Sequence, residues 1–210
     1  MTVFSFPKSR HVRLQRPPTY RNYSSYRPFL QKEFYRICVY CRTPDSITAS
    51  PNFGVDHYKP KSKFPLEENR YANLYYCCSA CNSRKRDHWP KPDVASTQFV
   101  PNPCDHVMFD HLRFQGDTVN SKSEAGRFTT ELLDLNDPKA VGFRAFVFRM
   151  IETLKTKRAE ANALLMLISS SAAANQSDAA QLSRDRIDIA AKIVRIDEDI
   201  GRLEGTAPLA

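Results

Sequence analysis

The chain has 210 residues, 41% of them hydrophobic, which is enough for one ordinary domain or for a small domain with an appended helical unit. This composition excludes a disordered protein, and no apolar run approaches the roughly 18 residues of a membrane span. The opening sequence MTVFSFPKSR lacks the apolar stretch of a secretory signal, so we expect an intracellular, cytoplasmic protein that has no membrane partner.

Positive charge is concentrated in the first half of the chain. Residues 1–92 hold 17 Lys and Arg against 6 Asp and Glu, a balance of +11, whereas residues 93–210 hold 14 against 17, a balance of −3. A positive field of this strength attracts polyanions and speeds their encounter. The first half therefore favours nucleic acid as a partner, although a merely solubilising surface would carry the same charge.

Three regions are predicted along the chain. Residues 1–30 form an extended basic and aromatic arm, whose tyrosines either stack on bases or pack onto the following domain. Residues 31–118 form the main domain, in which FGVDHY and NLYYCC read as two short strands joined by a long loop. After the second strand, Asn82 is a possible start of a helix. Residues 93–122 are predicted to be mostly loop.

Residues 119–210 are predicted to be helical. A short helix covers about residues 123–135, and Asp137-Pro138 is a suitable cap and first turn for a helix that continues to about Ile168. The segment SSSAAANQSD separates it from a last helix at about 178–203. Apolar residues recur on that helix at heptad-like spacing, which suits an intramolecular helical hairpin or an association with another chain. These residues are Leu182, Ile189, Ile193, Ile196, Ile200 and Leu203.

Two C-x-x-C pairs predict a structural zinc site. Cys38 and Cys41 form the first pair, and Cys78 and Cys81 form the second. Two such pairs complete the tetrahedron that zinc prefers, and a site filled by four sulfurs has no open position for chemistry. The 36 residues between the pairs exceed the usual zinc-ribbon spacing, so we expect the two strands to lie between them. Cys77 is a less suitable alternative to Cys78.

Four stretches between and around these cysteines resemble the zinc-containing HNH (His-Asn-His) endonuclease family. They are CVYC, VDHYKPKS, YANLYYCC and SACNSRKRD, which occur in the family's order and together cover about 50 of the 210 residues. The resemblance implies an α+β protein in which a small ββα-metal module is held by a zinc site of four cysteines. The C-terminal helical region with its long hairpin would follow this module.

The resemblance also implies roles for individual residues. His57 would be the general base that activates water, and Asp56 and Asn82 would hold one divalent ion, Mg²⁺ by the preference of hard cations for oxygen ligands. Asn73 would orient the histidine. The last motif position is Asn82 rather than histidine, a variation found in the family. Basic side chains nearby would contact phosphates, namely Lys59, Lys61, Lys63, Arg84, Lys85 and Arg86.

The expected function is therefore hydrolysis of phosphodiester bonds in nucleic acid, with DNA favoured only because the family usually cuts it. One alternative is a zinc-ribbon module that binds nucleic acid without catalysis. Another is a nuclease effector subunit whose C-terminal helices dock on an ATPase partner, since small proteins of this type occur in antiphage defence systems. Sequence preference, nicking against double-strand cleavage, and the oligomeric state are left open.

Overall fold

The computed structural model describes residues 3–47, 53–171 and 179–206. The chain divides into two compact units, Met1–Ala145 and Phe146–Ala210. The sequence had suggested boundaries near residues 30 and 118. Among the described residues, no helix has both the length and the apolar character needed to cross a bilayer.

A hairpin followed by a helix lies at the centre of the first unit. Helix α1 spans Arg27–Glu33, strand β1 spans Phe53–His57, strand β2 spans Leu74–Cys78 and helix α2 spans Ser79–Lys85. The two strands are antiparallel, with Phe53 opposite Cys78 and His57 opposite Leu74. The predicted ββα order is confirmed. Asn82 as the helix start is wrong: α2 begins at Ser79, directly after β2, so the second cysteine pair winds into the first turn.

The N-terminal segment is bound to this module through Glu33. Residues 3–22 contain no helix or strand. The carboxylate of Glu33 accepts hydrogen bonds from the backbone N–H groups of Leu14 and Gln15, at 2.8 Å each, and pairs with His11 Nε2 at 2.7 Å. Arg13 donates to the carbonyl of Leu74 at 2.8 Å. A segment without helix or strand is thus held by the helix and hairpin beneath it.

A second hairpin occupies the region that the sequence had assigned to loop, so that prediction is wrong. Helix α3 spans Met108–His111, strand β3 spans Leu112–Gln115, strand β4 spans Thr118–Ser121 and helix α4 spans Glu124–Leu132. Gly116 takes a φ of +60° in the tight turn between the strands, a conformation that glycine adopts without steric cost. The core of the first unit joins both halves and includes Tyr75, Tyr76 and Leu112.

Two long helices complete the chain. Helix α5 spans Pro138–Ser171, and its predicted cap is confirmed because Asp137 Oδ1 accepts from the backbone N–H of Lys139 at 2.7 Å. Helix α6 spans Ala179–Glu204. Arg158 on α5 and Asp197 on α6 form an ion pair at 2.8 Å. All six residues of the predicted stripe on α6 are buried or half-buried, as a helical hairpin requires.

Candidate active site

The four predicted cysteine ligands converge on one point. The sulfur atoms of Cys38, Cys41, Cys78 and Cys81 all lie within 4.8 Å of one another, and those of Cys41 and Cys78 are 3.7 Å apart. A zinc ion with bonds of about 2.3 Å to sulfur places its ligands about 3.8 Å apart. The donor set and its spacing therefore fit a structural zinc. Cys77 lies outside this cluster and donates to the carbonyl of Cys78.

Asp56 is buried and its carboxylate has partners on two sides. Tyr40, which lies between Cys38 and Cys41, donates its hydroxyl to Asp56 Oδ2 at 2.6 Å. Burial, and then the charge of Asp56, raise the pKa of Tyr40 well above its ordinary value, so the hydroxyl keeps its proton and remains a donor.

Lys85 is the second partner of Asp56. Its ammonium lies 3.0 Å from Asp56 Oδ1 and 2.8 Å from the carbonyl oxygen of His57. The side chains of Lys85 and Asp56 are 1% and 2% exposed, so this is an ion pair inside the protein. The predicted contact of Lys85 with phosphate would require this buried pair to break, because the carboxylate holds the ammonium inside the protein.

His57 is half-buried at the end of β1, and a backbone carbonyl fixes its ring. His57 Nε2 lies 2.9 Å from the carbonyl oxygen of Glu68. Since a carbonyl can only accept, Nε2 carries the proton and Nδ1 has the lone pair. Burial lowers the pKa of His57 below its ordinary value, and the charge of Lys61 acts in the same direction. The ring is therefore neutral near pH 7, in the form that can accept a proton.

Asn73 holds the loop that supplies this carbonyl. Its Oδ1 accepts from the backbone N–H of Lys59 at 2.8 Å, and its Nδ2 donates to the carbonyls of Lys59 and Glu67 at 3.0 and 3.2 Å. Three bonds from one buried amide thus tie the start of the loop, just after His57, to the residue just before Glu68.

Asn82 lies on α2 one turn before Lys85, so these two side chains share a helix face. The oxygens of Asp56 and Asn82 are hard donors of the kind that Mg²⁺ prefers, and the Asp56 carboxylate already binds a cation, the ammonium of Lys85. The donors are thus of the type that binds a divalent ion, and in this structure Tyr40 and Lys85 occupy the two carboxylate oxygens of Asp56. Because Asp56 is 2% exposed, an ion can reach Oδ1 only by displacing that ammonium.

The other predicted basic residues differ in solvent exposure and in their ion pairs. Lys61 and Lys63 are exposed on the β1–β2 loop, where Lys61 pairs with Glu68 at 3.3 Å and Lys63 donates to the carbonyl of Asp87. Arg84 is bound elsewhere, since it donates to the carbonyl of Leu133 and pairs with the carboxylates of Asp134 and Asp137. Lys59 is partly exposed and lies 4.0 Å from Glu67, and Arg86 is exposed.

Two tyrosines at this site were missed as site residues from the sequence. Tyr40 had no signal beyond its place in the first cysteine pair. Tyr23 stands edge-on to the His57 ring with the ring centroids 4.6 Å apart, and Lys61 Nζ lies 4.9 Å from the centre of the Tyr23 ring. The tyrosine-rich composition of residues 1–30 pointed to packing or stacking, but not to contact with the histidine.

One comparison with known proteins agrees with this geometry. Residues 38–88 match the family model described as HNH endonuclease, a span that includes both cysteine pairs, the hairpin and α2. The searches of curated proteins and of solved structures returned no match. Residues 38–88 are therefore an HNH-family domain, with four cysteines placed to bind a metal ion.

Proposed function

We propose that this protein is an endonuclease that hydrolyses phosphodiester bonds, with His57 as the general base. The observation that carries the proposal is the hydrogen bond from His57 Nε2 to the carbonyl of Glu68, because it leaves Nδ1 as the proton acceptor. A positioned imidazole that is neutral at the working pH is the group that general-base catalysis needs.

In the proposed reaction a water molecule attacks the phosphorus atom and gives its proton to His57 Nδ1. The bond from phosphorus to the leaving oxygen breaks, and that oxygen departs with the electron pair. Bonding to Glu68 stabilises the imidazolium that forms, since the carbonyl dipole faces Nε2–H. Asn73 acts as a positioning residue, because it bonds to the start of the loop at Lys59 and to Glu67, the residue before the one that carries this carbonyl.

Asp56 and Asn82 would hold a divalent ion, with Mg²⁺ as the proposed species. Such an ion supplies positive charge to the scissile phosphate and to the leaving oxygen. Without the ion, the ammonium of Lys85 occupies this place: it pairs with the Asp56 carboxylate and donates to the carbonyl of His57.

The proposed substrate is DNA, bound through the exposed cations near the site. Lys61, Lys63 and Arg86 are the best placed of the predicted residues, because their side chains are exposed. Contacts of this kind give affinity for phosphates without reading the base sequence. Binding should weaken steeply with salt, as counterion release requires.

The decisive experiment compares cleavage of supercoiled plasmid, linear duplex, single-stranded DNA and RNA by the full chain, with Mg²⁺, with Mn²⁺ and with a chelator. We expect His57→Ala to lose cleavage by at least about a hundredfold, the usual contribution of a general base. His88→Ala is the matched control, because His88 bonds to the carbonyl of Gln98 and packs on Phe128.

Each outcome has a distinct meaning. Cleavage that survives in His57→Ala would remove the general base from the proposal. A wild-type protein that binds DNA but cleaves none of the substrates, with either ion, would instead be the binding module without catalysis. Loss of cleavage in His88→Ala to the same degree would show that the effect does not arise from the chemistry of His57.

A further inference from the structure

The β1–β2 loop carries a leucine that is almost completely exposed. The side chain of Leu66 is 98% exposed, the largest fraction among the exposed large hydrophobic residues of the described chain. Single exposed hydrophobic residues are common on protein surfaces and need no explanation in themselves. What distinguishes Leu66 is how firmly its backbone is held and what lies next to it.

The turn around Leu66 is fixed at both ends. Residues Pro65–Glu67 form a 3₁₀ turn. Before it, the backbone N–H groups of Lys63 and Phe64 both donate to the carbonyl of Pro60, at 2.9 and 2.8 Å. After it, the carbonyl of Glu67 accepts from Asn73 Nδ2 at 3.2 Å. The leucine therefore projects from a held turn rather than from a free loop.

The turn is joined directly to the catalytic histidine. Glu68, two residues after Leu66, supplies the carbonyl that receives His57 Nε2 at 2.9 Å. A displacement of Leu66 would therefore also move the Glu68 carbonyl, which orients the His57 ring. Because two residues of chain span at most about 7 Å, Leu66 projects from the same turn of the loop that contacts His57.

The charges around Leu66 suit a polyanion. The loop carries the exposed cations Lys61, Lys63 and Arg70. The two carboxylates beside the leucine are each paired with a cation of the same loop: Glu67 with Arg70 at 2.9 Å, and Glu68 with Lys61 at 3.3 Å. No isolated negative charge next to Leu66, among the residues with known positions, would therefore repel phosphates.

We propose that Leu66 is a wedge that inserts between neighbouring base pairs of duplex DNA while the scissile phosphate binds at His57. Apolar side chains used in this way unstack a base step and kink the duplex. The inference rests on the proposed nuclease function and narrows its substrate to a duplex that can be locally opened. Cleavage is then favoured at flexible pyrimidine–purine steps, which unstack most easily.

The test uses Leu66→Ser in the full chain, with Leu66→Met as the variant that keeps an apolar side chain. Cleavage is measured on an intact duplex and on the same duplex with a one-nucleotide bulge at the preferred step. We expect Leu66→Ser to cut the intact duplex about tenfold more slowly, because the variant loses part of the free energy gained by burying a leucine side chain. On the bulged duplex the loss should be small, since the step is already open. Leu66→Met should resemble the wild type on both.

Binding is followed separately with 2-aminopurine placed at the same step. The wild type should raise its fluorescence by unstacking it, and Leu66→Ser should not. Leu164→Ser, at a partly exposed position on α5, is the control for the same substitution elsewhere. The melting temperature of Leu66→Ser should not change, because its side chain makes almost no contact with the protein.

Equal effects of Leu66→Ser on the two duplexes, or an unchanged 2-aminopurine signal, would overturn the wedge. If Leu66→Ser changes the self-association of the protein but leaves the 2-aminopurine signal unchanged, Leu66 belongs to a protein contact. That result would also overturn the wedge. If the wild type cleaves no substrate, the proposed nuclease function fails. The 2-aminopurine signal then still decides on the wedge by itself.

Discussion

The buried pair of Asp56 and Lys85 gives a prediction whose size follows from the structure. Lys85→Met removes the ammonium and leaves a carboxylate that is 2% exposed with the hydroxyl of Tyr40 as its remaining hydrogen-bond partner. Breaking a buried ion pair on one side costs about 3–5 kcal/mol of unfolding free energy. Asp56→Asn should lie at the lower end of that range, because an amide oxygen can still accept from Lys85.

The double variant, Asp56→Asn with Lys85→Met, removes both charges. Its loss of stability should be smaller than the sum of the two single losses by about 1–3 kcal/mol, the coupling expected of residues in contact. Lys63→Met is the matched control, because Lys63 is exposed and its contacts with Asp87 lie at the surface. Its effect should stay within about 0.5 kcal/mol.

The assay is urea unfolding followed by the fluorescence of Trp89, which is the only tryptophan and lies in the first compact unit. Zinc is kept saturating, since binding of zinc to the folded state adds to the apparent stability. Each single variant should also lower the melting temperature by roughly 10 °C. Additive losses in the double variant would refute the argument, because they would mean that the two charges do not meet inside the folded protein.

Four further predictions follow from the same site. Lys85→Met should bind Mn²⁺ more tightly than the wild type in an electron paramagnetic resonance titration without nucleic acid, because no ammonium then competes for Asp56; equal or weaker binding would contradict the competition. The cleavage rate should rise with pH through a pKa below about 6.5 and then stay level, because burial lowers the pKa of His57. A cleavage rate that still climbs above pH 7 would refute His57 as the general base. The same lowered pKa contributes stability above the pKa of the unfolded state, and this contribution is lost as pH falls through the pKa of His57 in the folded protein. Asn73→Ala should lower kcat up to about a hundredfold with little change in KM, since a displaced loop misplaces the base; a change confined to KM would argue against this. Removing zinc with a strong chelator should abolish the cooperative transition of Trp89, given an apparent binding free energy of about 10–16 kcal/mol for structural zinc; an unchanged transition would exclude a structural role.

Patterns in which neighbours in the chain act together could be predicted from the sequence. The cysteine pairs identified the four sulfurs that cluster in the structure, because a C-x-x-C turn by itself can bring two sulfurs to one ion. Asp137 could be recognised as a helix cap, since capping involves only the next three residues. Asn73 was placed at the start of the second strand, and Leu74 begins β2 in the structure.

Features that depend on distant partners could not be predicted. Lys85 reads as a surface cation because lysine is almost never buried unless it is paired. Its partner Asp56 lies 29 positions earlier in the chain. Arg84 likewise pairs with Asp134 and Asp137, about 50 positions later, so the sequence could not show these ion pairs. The hairpin of β3 and β4 was missed since its strands have four residues each and mixed polarity.

The zinc site and the candidate catalytic site are joined through Asp56. Its carboxylate receives one hydrogen bond from Tyr40, inside the first cysteine pair, and one from Lys85, a single helical turn after Cys81 of the second pair. Each pair therefore supplies one of the two groups that make a buried carboxylate stable. A strand pair of this size is marginally stable by itself. Holding both cysteine pairs at one ion fixes Tyr40 and Lys85 relative to each other, so the same four sulfurs that stabilise the module also set the position of the carboxylate beside His57.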